Sequence, residues 1–78
     1  MSDILADKVL DAKGLSCPMP VIKTKKALEG VESGQILEVV ATDPASKTDI
    51  PALLGRLGHE LIEISEGNGE IHYLIRKK

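Results

Sequence analysis

The chain has 78 residues, room for one small domain spanning 1–78 and for no second one. Hydrophobic residues at 42% and charged residues at 28% give a globular balance and exclude a disordered chain. A single aromatic residue, Tyr73, and a net charge of −2 argue against direct nucleic-acid binding, which needs stacking platforms or a basic surface.

Lys8–Ala12 reads as a short strand, closed by Lys13-Gly14. A helix is expected from near Pro18 to Gly30, with proline early and glycine at the end. Gln35–Ala41 is β-branched and apolar, the pattern of a mostly buried strand. After the loop Thr42-Asp43-Pro44-Ala45, a second helix is expected over Ser46–Leu57. Ser46 and Asp49 at its start have the spacing of a capping box, although Pro51 argues for a start nearer Thr48 or Asp49. Ile50, Leu53, Leu54 and Leu57 form one apolar stripe. His59–Ser65 and Glu70–Arg76 read as two strands joined by Glu66-Gly67-Asn68-Gly69, a hairpin signal.

The expected order is β-α-β-α-β-β. Right-handed crossovers place both helices on one face of a four-stranded mixed sheet. The fold class is therefore an α/β (α+β) two-layer sandwich, with the other sheet face solvated or covered by a partner. Pattern alone does not give the strand order.

One cysteine, Cys17, and two histidines, His59 and His72, permit no internal disulfide and cannot complete a four-ligand zinc site. No metal and no cofactor are expected. The opening MSDILADKV is too acidic and too short in apolar residues for a signal peptide or a membrane span. A soluble, cytoplasmic protein, monomeric when free, is the expectation. Charge is unevenly spread. Lys8, Lys13, Lys23, Lys25 and Lys26 outweigh Asp11 and Glu29 over 8–30, a local +3, whereas 32–70 carries a local −6. Lys77 and Lys78 extend the basic character at the end of the chain, where a solvated terminus is the ordinary reading.

Chemistry is most legible in Gly14-Leu15-Ser16-Cys17-Pro18-Met19-Pro20. Cys17 falls at the expected N-cap, and the two prolines remove donors from the first turn, leaving the Met19 amide nearest the sulfur. That amide, the helix dipole, Lys13 and Lys23 favour a depressed Cys17 pKa and a nucleophilic thiolate. The ordinary alternative is an inert, packed cysteine. Without C-x-x-C a dithiol cycle is excluded, and without a neighbouring histidine or an oxyanion loop a cysteine hydrolase is disfavoured. A lone exposed thiolate suits the transfer of a group from one protein to another. On a helical wheel Pro20, Val21, Thr24, Ala27 and Leu28 face the core. Met19, Ile22, Lys23 and Lys26 point outward as candidate partner contacts, or as ordinary edge residues.

Further along the chain, Asp43 reads mainly as a turn former. His59 reads as structural, and His72 as a mid-strand residue facing solvent.

Taken in order, Leu10-Asp11-Ala12, Gly14-Leu15, the C-P-x-P run Cys17-Pro18-Met19-Pro20 with Val21, Asp43-Pro44-Ala45, Asp49-Ile50-Pro51, His59-Glu60-Leu61 and Tyr73–Lys77 resemble the TusA (SirA-like) family of sulfur carriers over about residues 9 to 77. The resemblance implies a cytoplasmic protein of the same fold. In that family sulfane sulfur is held as a persulfide on the cysteine matching Cys17, supported by the positions of Pro18, Met19 and Pro20. It implies a cysteine desulfurase or a rhodanese- or DsrE-type protein as donor. The implied acceptor is a downstream relay protein in tRNA thiolation, sulfur oxidation or cofactor synthesis. Ser16 and Met19 depart from the basic and acidic residues common in the tRNA-linked branch, and both bear on partner choice. Two rivals remain from the residues themselves: a non-covalent regulatory or RNA-binding module using the basic helix, and a thiol redox sensor.

Overall fold

The structure is a computed structural model that describes residues 5–78; the reading of the opening stretch therefore lies partly outside the described residues. The elements are β1 (Lys8–Ala12), α1 (Met19–Glu29), β2 (Ile36–Ala41), α2 (Ser46–Leu57), β3 (Glu60–Gly67) and β4 (Glu70–Arg76). They form one mixed sheet in the order β1-β2-β4-β3. β1 runs parallel to β2, while β4 is antiparallel to both β2 and β3. The helices touch each other as well as the sheet, so both lie on one face, as the pattern of elements led us to expect.

Alternation builds the core. Leu37, Val39 and Ala41 of β2 lie opposite Ile75, Tyr73 and Ile71 of β4. All six are buried, with Ala12 of β1 alongside. Leu28 of α1 and Ile50 and Leu54 of α2 close over them. Leu57, the last member of the expected α2 stripe, is instead 37% exposed in the final turn of the helix. The hairpin between β3 and β4 is a two-residue loop with Asn68 at φ 54° and Gly69 at φ 78°, left-handed positions that suit Asn-Gly. Edge strand β3 carries a bulge between Leu61 and Glu63. Together with Glu60, Glu63 and Glu66, that bulge discourages pairing with another sheet.

The capping-box reading of α2 is corrected by the core. Ala45 holds the N-cap position and no side chain caps the helix. Ser46 is buried, its Oγ donating to the Asp43 carbonyl at 2.7 Å and lying 2.6 Å from the Tyr73 hydroxyl. Since the serine proton goes to the carbonyl, Tyr73 donates to Ser46. The one aromatic residue thus needs a polar partner, and Ser46 is drawn inward to supply it. The helix starts at Ser46 despite Pro51, its first turn held by three-residue bonds such as Thr48 to the Ala45 carbonyl.

His72 is also not simply solvated. On the face away from the helices its Nδ1 lies 2.7 Å from Glu38 and its Nε2 3.2 Å from Glu70. Both partners are carboxylates, so the protonated ring donates from both nitrogens, and the bond to Glu38 is the main cause of a raised pKa. His59 behaves oppositely. Its Nδ1 accepts from the Lys78 amide at 3.0 Å, and burial, then Lys77 and Lys78, push its pKa down.

Two measurements test this account. Protonated His72 stabilises the fold fully below its ordinary pKa of 6.5, and that contribution is lost as pH rises through the raised folded value. Urea unfolding of wild type and His72→Gln from pH 5 to 9 should show a wild-type advantage at the acid end that fades with rising pH. A pH-independent difference would refute the ion-pair account. Thr24 Oγ1 is buried without a partner among the described residues. Thr24→Val should therefore stabilise by about 1 kcal/mol, raising Tm by roughly 4–8 °C; an unchanged or lower Tm would count against an orphaned hydroxyl.

Candidate functional site

Two loops meet at the ends of β1 and β2, and long-range bonds stitch them together. The Gly14 amide donates to Thr42 Oγ1 at 3.0 Å, and the Cys17 amide donates to Asp43 Oδ2 at 2.7 Å. Asp43 Oδ1 accepts from the Ala45 amide at 3.0 Å. Asp43 therefore does form its own turn, and in addition it tethers the segment that carries Cys17.

Cys17 is exposed and unpaired. It lies one residue outside the position expected for it, since Pro18 is the N-cap of α1. The Met19 amide does not reach the sulfur; it donates to the Ser16 carbonyl at 2.9 Å. Lys13 lies 4.0 Å from Glu70 and is engaged there. The sulfur is instead bonded to a carboxylate, with Asp49 Oδ2 3.2 Å from Cys17 Sγ. Here the thiol donates. The Asp49 bond, followed by desolvation and the charges of Asp49 and Asp43, pushes the Cys17 pKa up. The expected depressed pKa is overturned for the protein on its own: a full negative charge in contact outweighs about half a positive charge at a helix end.

Beside the sulfur lies an open cleft of about 410 Å³, lined by Cys17, Pro18, Val21, Asp49, Ala52 and Arg56. Asp49, Ala52 and Arg56 recur at i, i+3 and i+7 on α2, one face of that helix. The structure brings Cys17 and Pro18 of the expected site into the cleft. Pro20 is buried in the first turn of α1 and does not line the cleft. Met19, Ile22, Lys23 and Lys26 lie outside the cleft lining on exposed α1 surface, with Met19 38% and Ile22 51% exposed. Asp49 and Arg56 are the site residues that reading the sequence missed. Their shared helical face is legible in the sequence, but nothing there says that it turns toward Cys17. No group of three or more His, Cys, Asp or Glu side chains among the described residues is arranged to hold a metal ion.

The chain is similar to known proteins over most of its length. The family model described as Sulfurtransferase TusA matches residues 8–77. A sulfur carrier protein TusA of Allochromatium vinosum is 48% identical over 71 residues, 91% of this chain and 93% of the relative. A putative sulfur carrier protein, YrkI of Bacillus subtilis, is 51% identical over 92% of this chain and 96% of its own length. Among solved structures, a SirA-like protein from Desulfitobacterium hafniense superposes with a TM-score of 0.78 at 31% identity, covering 88% of this chain and 95% of that one.

The contact between Cys17 and Asp49 makes a direct prediction. In Asp49→Asn the alkylation of Cys17 by iodoacetamide should have a lower pH midpoint and run faster near neutrality than in wild type. An unchanged pH profile would mean that Asp49 does not hold the thiol.

Proposed function

The chain belongs to the TusA sulfurtransferase family, and from that premise we propose that it is a sulfur carrier which holds sulfane sulfur as a persulfide on Cys17. The observation that carries this reading is the exposed, unpaired thiol of Cys17 on the C-P-x-P turn, at the rim of an open cleft. Thiolate formed at Cys17 attacks the outer sulfur of a donor persulfide. The donor's S–S bond breaks, a new one forms at Cys17, and the donor departs as a thiol carrying the proton from Cys17. Handing the sulfur to an acceptor repeats the exchange with Cys17 as the leaving group. No oxidant is needed, because the sulfane sulfur changes partner and not oxidation state.

The protein therefore works between a sulfur donor and a sulfur acceptor. A cysteine desulfurase, rhodanese-like or DsrE-like protein fits the first role, and a relay protein for tRNA thiolation or sulfur metabolism the second. Pro18 and Pro20 hold the turn that presents the sulfur. Met19 and Ile22, with Lys23 and Lys26 beside them, offer an apolar and basic docking surface suited to acidic partners. An exposed unpaired thiol suits a reducing compartment such as the cytoplasm. The RNA-binding rival gains nothing from the structure, since the one aromatic side chain, Tyr73, is fully buried.

Intact-protein mass spectrometry tests the reading. After incubation with a cysteine desulfurase and cysteine, or with inorganic polysulfide, wild type should gain one sulfur atom, mapped to Cys17 and removed by a thiol reductant. Cys17→Ser should gain none and keep the wild-type circular dichroism spectrum. Failure of every donor to add sulfur to folded, reduced wild type would overturn the carrier role.

A further inference from the structure

Resting on that carrier reading, we propose that the cleft between α1 and α2 seats an extended segment of the sulfur donor, with a basic residue beside its persulfide cysteine meeting Asp49 and an acidic residue farther along meeting Arg56. The cleft is electrically two-ended. At the sulfur end Asp49 bonds the thiol, and Asp43 lies just behind it with both carboxylate oxygens engaged by amides. At the other end stands exposed Arg56. Between them the lining is apolar: Pro18, Val21 and Ala52.

Distance keeps the two charges from satisfying each other. Seven residues of helix separate Asp49 from Arg56, a rise of about 10 Å. Among the described residues neither forms an ion pair with another side chain. An extended chain advances about 3.3 Å per residue, so a donor segment spans the same distance in about three residues. The charges of that segment follow from complementarity: positive at the cysteine, negative three residues on.

The occupant is the donor rather than the acceptor because of the state in which the cleft is built. The bond from Cys17 Sγ to Asp49 requires the thiol proton, and only the empty carrier has it on that sulfur. A donor cation that pairs with Asp49 withdraws the carboxylate from the sulfur and favours the thiolate at the moment of encounter. The thiolate then attacks the donor's outer sulfur, and the proton leaves on the donor thiol. On its own the carrier stays a protonated thiol; beside a cationic donor it becomes a nucleophile.

Synthetic peptide persulfides test this. Arg-Cys-Ala-Glu and its charge-reversed counterpart Glu-Cys-Ala-Arg, each blocked at both ends and persulfidated at cysteine, serve as donors. Sulfur transfer to Cys17 is followed by intact mass. Two exposed ion pairs predict that the first peptide loads wild type about tenfold faster than the second at low salt, with the preference shrinking as salt rises. Arg56→Gln, an exposed change that leaves the thiol untouched, should lose part of the preference, and Asp49→Asn the remainder. Equal rates for both peptides on wild type, or a preference unaffected by both substitutions, overturn the proposed seat. Loading by inorganic polysulfide but by neither peptide likewise refutes the seat and leaves the carrier role standing. No loading from any of the three sources removes the carrier role itself.

Discussion

The site depends on carboxylates contributed by one loop and one helix to a cysteine on another loop. Asp43 fixes the backbone of Cys17 through its amide, and Asp49 fixes the sulfur. Without these bonds the segment Gly14–Pro18 would be an exposed loop held mainly by its ends and by the Gly14–Thr42 bond. Asp43 is itself held from the core, since its carbonyl accepts from Ser46, which accepts in turn from Tyr73. A continuous set of bonds thus joins the centre of β4 to the reactive sulfur. This is how a sheet too small to enclose an active site still fixes a side chain at its edge.

The same carboxylates decide the electrostatics, and the magnitudes explain why. A helix N-terminus offers roughly half a unit of positive charge, carried by amides that point at the ligand. In α1 that offer is reduced further: Pro18 and Pro20 have no N–H, and the Met19 amide is committed to Ser16. Asp49 brings a whole negative charge into hydrogen-bond contact. The thiol form wins. Proximity to a helix start is therefore not enough to activate a cysteine; the amides must be free and the nearby charges favourable.

Much of the fold was legible because periodicity and turn chemistry agree along the chain. β1, α2 and β4 have the bounds expected of them, and Asn68-Gly69 forms the two-residue turn that its composition requires. Cys17 as the site of chemistry was legible from its two prolines. Misreadings occurred where a local rule competed with a tertiary one. Ser46 and Asp49 have capping-box spacing, yet Tyr73 claims the serine and Cys17 the aspartate. His72 has the alternation of a solvent-facing strand residue, but its register opposite Val40 brings Glu38 within reach. Each of these three polar side chains bonds to a partner at least 27 residues away, and no local pattern encodes such a pairing.

A protonated resting cysteine suits a carrier better than the permanently activated thiolate that the motif first suggests. A carrier must accept sulfur from one partner and surrender it to another without losing it to whatever thiol or oxidant it meets between. Thiolate fraction governs how fast Cys17 attacks, and the basicity of the same sulfur governs how readily it departs when an acceptor takes the persulfide. Carboxylates that raise the pKa slow both half-reactions at once. A low-pKa cysteine would load faster but would also discharge to any nucleophile, because a stable thiolate is a good leaving group. Holding the thiol against Asp49 makes loading conditional on a partner that supplies positive charge. The selectivity then resides in the encounter surface rather than in the intrinsic reactivity of the thiol, which is where a protein with one cysteine has room to place it.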